Sequence, residues 1–371
     1  MPSEGETMQN YVSLCIYLGV LLFSAFLLNK KYEHVQLATF LGMLIPIVFA
    51  AGRYKVGTDF WTYERIFQRV ARESFGDFLK RLLLENDQLF TIICRYAYKL
   101  GGRVLTWGIL AALIFIPIVR TCRKYYPDMS QGTAIAVFLL SAFVSSFNIC
   151  REYVAVTFVF CSVSFVHENK LRRFLLMILL AILFHDTAFI ALVLWFLWDH
   201  KKNGVISITK QIIFVLGTLV MALFYRQAIQ LAARFIPQLR SYAEYYSSEI
   251  ESGNRDFYVS VLVLIIVFCL IRHVRAVDKR ADYFFILLIV GTLIGFTGFT
   301  HPQFKRIALY FSVPANIYFA GYMPRCFKKG QEVIASVLIT GFYVALFILT
   351  FFILGQARLF PYVFNLTSSV F

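Results

Sequence analysis

Long apolar runs that recur from one end of the chain to the other constrain the fold more than any other feature of the sequence. Of the 371 residues, 59% are hydrophobic and 15% are charged, whereas soluble domains are roughly 45–50% apolar and about 25% charged. A helix needs about 20 apolar residues to cross a bilayer, and several of the runs approach that length. The sequence therefore predicts an all-α fold, a polytopic bundle of transmembrane helices that forms a single integral membrane domain over residues 1–371.

Ten apolar runs are predicted to cross the membrane once each, at residues 11–29, 35–51, 104–119, 131–149, 153–167, 208–225, 257–271, 282–299, 307–323 and 333–354. One further run, 174–198, has 25 residues with His185 and Asp186 at its middle. As a single helix it would be about 37 Å long, which a tilt could accommodate. As two halves it would be a helical hairpin.

The distribution of basic residues favours the hairpin. Short connections rich in Lys and Arg occur at 29–31, 120–124, 170–173, 272–280 and 325–329, and such loops are expected on the cytoplasmic side. They all fall on that side only if the run 174–198 turns back near His185. This topology gives about 12 crossings, puts both termini and a loop from about 227 to 256 outside, and puts Lys201 on the cytoplasmic side.

The formal net charge of +15 comes from Lys and Arg residues dispersed among the loops. Such dispersion is typical of the positive-inside rule and of contact with anionic lipid headgroups, and it does not indicate nucleic acid as a partner. The seven cysteines are scattered without a Cys-x-x-Cys pair, so we expect no metal site and no disulfide framework. No cofactor motif is present, and none is expected.

A polar and charged segment directly after the run 35–51 is the first candidate site. It contains Arg53, Gly57, Thr58, Asp59 and Tyr63. Gly57 permits a sharp change of backbone direction, and Thr58 or Asp59 can cap a following helix. The alternative is a simple helix cap with an arginine whose side chain extends to the headgroups.

The helix that follows is predicted to continue to about Arg72 and to lie at the membrane interface. Its apolar face would contain Phe60, Tyr63 and Phe67. Its polar face, with the charged residues toward water, would contain Glu64, Arg65, Gln68, Arg69 and Arg72.

Three more polar positions lie at or in apolar runs on the predicted outer face: Arg151 with Glu152, His185 with Asp186, and Arg306 with Tyr310. Arginine on the side where positive charge is not favoured for topology suits the binding of an anion. Its planar donors match phosphate oxygens, so Arg53, Arg151 and Arg306 are candidate ligands for the diphosphate of a lipid-linked substrate. The alternatives are a local Arg–Glu pair, a structural histidine and an interfacial arginine–tyrosine anchor.

The segments Arg53-x-x-x-Gly57-Thr58-Asp59-x-x-x-Tyr63, the Arg151 turn, Ala181-Ile-Leu-Phe-His185-x-x-Ala188 and Arg306-Ile-x-x-Tyr310-Phe311 occur in that order. Together they resemble the EpsG family of exopolysaccharide polymerases, which are Wzy-like membrane proteins. The resemblance implies a Wzy-like, GT-C-like fold and the joining of repeat units carried on undecaprenyl diphosphate into exopolysaccharide, capsule or O-antigen. It also implies the outer face of the bacterial cytoplasmic membrane. At Glu152 and Asp186 the sequence departs from the family's usual residues, so the resemblance implies no role for them.

The mechanism expected from these residues is glycosyl transfer without a metal ion. Arg53, Arg151 and Arg306 would hold the diphosphate and stabilise the charge that develops as it leaves. His185 or Asp59 would remove the acceptor proton, and a near-neutral imidazole favours His185. Gly57, Thr58, Tyr63 and Tyr310 would support the site.

The expected partners are lipid-linked oligosaccharides, membrane lipid and other polysaccharide assembly proteins. Two other functions stay open at this level. A lipid-linked oligosaccharide flippase or transporter would also line a cavity with arginines. A membrane O-acyltransferase would also use an embedded histidine.

Overall fold

The computed structural model describes residues 4–84, 86–200, 206–235, 255–299, 302–328 and 330–367. Within these ranges the regular structure is helical, and one isolated β-bridge joins Arg53 to Phe364. The α-helices are Glu4–Leu27 (α1), Gln36–Gly52 (α2), Phe60–Arg72 (α3), Phe75–Leu84 (α4), Gln88–Tyr125 (α5), Gln131–Phe138 (α6), Cys150–His167 (α7), Leu171–Phe184 (α8), Val193–Leu197 (α9), Ile208–Phe235 (α10), Arg255–Val277 (α11), Ala281–Phe296 (α12), Pro302–Tyr322 (α13) and Gln331–Phe347 (α14).

Six stretches of helix in the described residues are long and apolar enough to cross a membrane: Met8–Leu27, Gln88–Tyr125, Ile208–Gln227, Phe257–Val277, Ala281–Phe299 and Gln331–Ile353. Shorter apolar helices occur at Gln36–Gly52, Gln131–Phe143 and Asp186–Leu197. The all-helical membrane fold is thereby confirmed. The count of about 12 crossings stays a prediction, because the remaining helices fall short of a full span in length or hydropathy.

The predicted span 104–119 is part of a longer helix. The 38-residue α5 consists of two helical segments that meet at Gly101 and Gly102. Gly102 has φ of +60°, a conformation that a residue with a Cβ rarely adopts. The first segment carries Phe90 and Tyr98 against Phe67 of α3, with ring centroids 6.3 Å apart in both pairs. The interfacial helix is thus packed onto the bundle.

The run 174–198 turns back at its middle, as the basic connections indicate. The helix α8 ends at Phe184, His185 has the extended conformation, and a 3₁₀-helix follows at Asp186–Leu192. Trp195 packs against Phe174, with ring centroids 5.4 Å apart, and Nδ1 of His200 is hydrogen-bonded to Oδ1 of Asn169. His185 is therefore at the tip of a hairpin whose two ends meet. Lys201, predicted to be cytoplasmic, lies outside the described residues, as does most of the predicted outer loop 227–256.

The basic connections meet at one end of the bundle, here called the basic end. Lys30 Nζ donates to the carbonyl of Pro127 at 2.8 Å. Arg280 donates to the carbonyl of Tyr125 at 2.8 Å and to the hydroxyl of Tyr322 at 2.9 Å. Loops far apart in sequence thus share one end, as the positive-inside rule requires of cytoplasmic loops.

The C-terminal segment packs at the opposite end, here called the site end. The amide of Tyr54 donates to the carbonyl of Val363 at 2.9 Å, and the amide of Asn365 donates to the carbonyl of Gly52 at 2.7 Å. The ring of Tyr362 stacks on Phe49 with centroids 4.1 Å apart. These contacts hold the last residues of the chain alongside the segment that begins at Arg53.

Candidate functional site

Arg53 is buried between two aromatic rings. It follows the last residue of α2, and its side chain is only 2% exposed. The guanidinium carbon lies 3.7 Å from the ring centroid of Trp107 and 4.3 Å from that of Phe147, and Nη2 donates to the carbonyl of Phe147 at 3.3 Å. The contact with Phe147 places Arg53 behind the turn that leads into α7.

Gly57 is needed where the first loop approaches this same turn. It has φ of +102°, and a Cβ at this position would lie 2.8 Å from Oδ1 of Asn148 and 3.1 Å from the carbonyl oxygen of Phe147. Its amide donates to the carbonyl of Arg358 at 3.0 Å. The loop is therefore held between the residues before α7 and the C-terminal segment.

Thr58 and Asp59 lie at the surface of this loop. Thr58 Oγ1 contacts Asn148 Oδ1 at 3.1 Å and Asp59 Oδ1 at 3.3 Å. Asp59 precedes α3, yet no side-chain cap hydrogen bond is formed there. The predicted helix is confirmed as Phe60–Arg72, with Phe60, Tyr63 and Phe67 buried.

Glu64 was predicted to face water, and that prediction is wrong. The residue is 6% exposed, and its carboxylate accepts a hydrogen bond from Trp107 Nε1 at 3.2 Å. Trp107 is the same ring that covers Arg53. Burial raises the pKa of Glu64, while the charge of Arg103 and the hydrogen bond from Trp107 oppose the shift.

Five charged or titratable side chains form an acid–arginine cluster at the site end: Asp87, Arg151, Glu152, His185 and Arg306. Asp87 immediately precedes α5 and has the left-handed φ of +63°. Its Oδ2 lies 2.5 Å from Nη1 of Arg151 in the first turn of α7. The same arginine interacts electrostatically with the buried Tyr63, which connects the cluster to α3.

His185 lies between two carboxylates. Its Nδ1 is 3.6 Å from Oδ1 of Asp87, and its Nε2 is 3.7 Å from Oε1 of Glu152. The other oxygen of Glu152, Oε2, is 3.7 Å from Nε of Arg306. These separations are ion-pair distances and too long for direct hydrogen bonds. The imidazole thus has an acid on each side, and each acid also faces an arginine.

Burial and neighbouring charges shift the pKa values of Glu152 and His185. Burial raises the pKa of Glu152 to about 7, although His185 and Arg306 oppose the shift. Burial alone would lower the pKa of His185, but the negative charges of the nearby Asp87 and Glu152 outweigh it, and the pKa is raised. Glu152 lies in the first turn of α7, just before the predicted span 153–167, and His185 lies at the hairpin tip, where α8 has ended. A carboxyl group whose pKa is about 7 therefore lies beside a histidine whose pKa is raised above its usual value.

Two hydrogen bonds fix the hairpin tip against its neighbours. Asn86 Nδ2 donates to Asp186 Oδ2 at 2.8 Å. Thr187 Oγ1 and the buried hydroxyl of Tyr310 are 3.0 Å apart. Tyr310 is one turn after Arg306 on α13. The hydrogen bond between Thr187 and Tyr310 therefore joins the hairpin that carries His185 to the helix that carries Arg306.

The structure brings together His185, Arg151 and Arg306, with Tyr63 and Tyr310 in contact with them or with the hairpin tip. Arg53, Gly57, Thr58 and Asp59 belong to the adjoining loop, which touches the residues before α7. Sequence reasoning missed Asp87 and gave no role to Glu152. An acid before a helix resembles a cap, so no pattern separated Asp87 from an ordinary helix start.

Comparison with known families supplies the identity. A sequence model of the EpsG family matches residues 35–364, which is most of the chain. The chain belongs to the EpsG family. Neither the curated proteins nor the solved structures include a significant match. Membership of this bacterial family indicates an exopolysaccharide-related polymerase in a membrane protein.

All residues of the acid–arginine cluster and the Arg53 loop fall within the part of the chain that the EpsG model covers. So do the three helices α7, α8 and α13, which present Arg151, His185 and Arg306. The resemblance seen in the sequence motifs is thereby confirmed at the level of the family. The roles of the single residues stay a proposal.

Proposed function

We propose that the protein joins oligosaccharide repeat units carried on undecaprenyl diphosphate into exopolysaccharide, capsule or O-antigen. It would act at the outer face of the bacterial cytoplasmic membrane, with a Wzy-like, GT-C-like arrangement of helices. The observation that carries the proposal is the position of His185 between Asp87 and Glu152, each of which also faces a partly exposed arginine.

The two arginines are suited to hold a diphosphate. The side chains of Arg151 and Arg306 are 37% and 38% exposed, whereas those of Asp87 and Glu152 are 10% and 3% exposed. The carboxylates thus approach the guanidinium groups from within the protein and leave the outer side of each guanidinium accessible. A guanidinium has five N–H donors, so it can keep its carboxylate and still bind phosphate oxygens.

The reaction would exchange one bond for another at the anomeric carbon of the donor sugar. A hydroxyl oxygen of the acceptor unit forms a bond to this carbon, and the bond from the carbon to the diphosphate oxygen breaks. The hydroxyl proton moves to His185, and undecaprenyl diphosphate leaves as an anion beside Arg151 and Arg306. The charge that develops on the leaving group is thus met by preorganised donors, which is the largest contribution in many enzymes.

The two acids would serve the histidine. A protonated imidazole between the carboxylates of Asp87 and Glu152 is stabilised by both of them. Asp59 lies on the surface of the neighbouring loop, so His185 is the better-placed base. The scheme needs no metal ion, because the guanidinium groups supply the positive charge.

Arg53 would act as a positioning residue. Its guanidinium is enclosed by Trp107 and Phe147, and its donor to the carbonyl of Phe147 fixes the turn three residues before Cys150, where α7 begins. Arg151 is the second residue of that helix. Arg53 would therefore influence diphosphate binding through the placement of Arg151.

The lipid-linked intermediates of a deletion strain test this function. We expect carriers with single repeat units to accumulate on the outer face, and a plasmid copy of the wild-type gene to restore long chains. A plasmid copy with His185→Gln should leave the single units in place. Accumulation on the cytoplasmic face would indicate a flippase, and chains of normal length without acyl groups would indicate an acyltransferase; either result contradicts the proposal.

A further inference from the structure

An apolar cavity of about 570 Å³ lies beside the acid–arginine cluster. It is an open groove lined by α10 on one side and by α12, α13 and the second half of the His185 hairpin on the other. This volume is within the roughly 300–1,000 Å³ of typical ligand pockets. The helix α10 lies at the periphery, since only 6% of its apolar window is buried within the described protein.

The cavity begins where the polar cluster ends. Ile307 and Phe311 of α13 line it, and each directly follows a residue of the site, Arg306 and Tyr310 respectively. On the hairpin, Ile190 lines it and is one 3₁₀ turn after Thr187, whose hydroxyl contacts Tyr310. The helix α13 and the His185 hairpin therefore each contribute residues to both the cluster and the cavity.

The lining presents hydrocarbon to whatever occupies the cavity. None of its residues is charged. The hydroxyls of the lining already have partners within the protein: Thr218 donates to the carbonyl of Phe214 at 2.7 Å, Thr297 donates to that of Ile294 at 2.6 Å, and Tyr225 accepts a hydrogen bond from Nε of Arg226 at 3.1 Å. A polar ligand would lose its hydration there without new hydrogen bonds, whereas an aliphatic chain would not.

We propose that this cavity binds the isoprenoid tail of the lipid-linked substrate, with the diphosphate at Arg306 and Arg151. The inference rests on the proposed function for the identity of the head group. A ligand that joins an anionic diphosphate to a single hydrocarbon chain matches a cluster with two partly exposed arginines that continues into one apolar cavity. Burial of the chain would anchor the donor while its sugar stays exposed to the acceptor.

Gly217 offers a way to fill the cavity without disturbing the fold. It lines the cavity from α10, and a Cβ built at this glycine meets no atom within 4 Å. Larger side chains here would occupy space that the tail would otherwise use. Gly341 of α14 is an equally open helical glycine that does not line the cavity, so Gly341→Phe is a matched control.

The test compares a diphosphate with a long isoprenoid tail and a diphosphate with a single five-carbon isoprenoid unit. The full-length protein in phosphatidylglycerol nanodiscs is assayed for binding of undecaprenyl diphosphate and of isopentenyl diphosphate. The series Gly217→Ala, Gly217→Leu and Gly217→Phe should weaken undecaprenyl diphosphate binding progressively. The largest variant should lose about tenfold, because exclusion of about two methylene groups costs this much. Binding of isopentenyl diphosphate should not change, nor should either affinity in Gly341→Phe.

Undiminished undecaprenyl diphosphate binding in Gly217→Phe would overturn the proposal. An equal loss of affinity for both ligands would also overturn it, because the substitution would then not act through the tail. Competition by excess phosphatidylglycerol would overturn it too, because the cavity would then be an ordinary lipid contact. Binding of the diphosphates does not require turnover, so this measurement tests the tail site independently of polymer formation. A wild-type protein that shows this tail dependence yet makes no polymer would contradict the proposed function and leave the tail site intact.

Discussion

His185 Nε2 lies 3.7 Å from Oε1 of Glu152, although the two residues are 33 positions apart and belong to different helical elements. The other carboxylate oxygen faces Arg306 at 3.7 Å. One buried acid therefore connects the candidate base to a candidate diphosphate ligand. Protonation of His185 and binding of an anion at Arg306 should consequently influence each other.

The topology predicts which positions react from outside the cell. In a variant without the exposed Cys15 and Cys269, a cysteine at Asp59 should be labelled by a membrane-impermeant maleimide, and one at Lys201 should react only after permeabilisation. The hairpin requires this, because His200 returns to Asn169 at the start of α8. External labelling of position 201 would show that the run 174–198 crosses once.

Arg53→Lys is expected to lose most polymer formation. A lysine ammonium has a compact charge and cannot fill the space of a planar guanidinium between Trp107 and Phe147. Turnover should fall while the protein remains folded, as judged by its thermal unfolding in detergent. A Lys variant with the wild-type rate would show that a guanidinium at position 53 is not needed to position the turn before α7.

The pH dependence of the rate should report the acids around His185. A base must be neutral, so the rate should rise with pH as His185 deprotonates, and the raised pKa places this rise above the usual value of 6.5. Asp87→Asn removes a negative charge that raises the pKa of both His185 and Glu152, so the rise should move to lower pH. The measurement is kcat/KM against pH for both proteins. An unmoved profile would separate Asp87 from the titrating group.

Periodicity and charge predicted the parts of the structure that depend on local sequence. The apolar face of α3 and the turn at His185 are of this kind, because helical spacing and the bias of basic loops determine them. The same patterns predict whether a helix face points to water or to protein, but they do not identify the residues that pack against it. Glu64 was placed toward water for this reason, although Trp107, 43 positions later, covers it.

The sequence predicted the arginines of the candidate site but not its acidic residues. Arginines on the outer side contradict the charge bias of membrane loops, so Arg151 and Arg306 were recognisable. Asp87 meets Arg151 across 64 positions, and this pairing depends on how α5 and α7 pack. The enclosure of Arg53 by Trp107 and Phe147 likewise follows from tertiary packing.

Arg306→Ala should weaken donor binding as well as turnover. Loss of a hydrogen bond to a charged group costs about 1.5–3 kcal/mol, which is about tenfold to hundredfold in affinity. Arg325→Ala is the matched control, because Arg325 has a similar side-chain exposure of 41% and pairs with Glu332 at the basic end. Binding of undecaprenyl diphosphate to purified variants gives the comparison. Equal affinities in the two variants would remove Arg306 from the diphosphate site.

The central claim is that His185 accepts the proton of the acceptor hydroxyl while arginines hold the diphosphate. The most direct measurement uses purified His185→Gln protein with synthetic undecaprenyl diphosphate-linked repeat units, and records donor binding and chain formation in parallel. We expect donor affinity near that of the wild type and a rate of chain formation lower by about 10²–10⁴-fold, as for loss of a general base. A variant that binds the donor and extends chains at the wild-type rate would contradict the account.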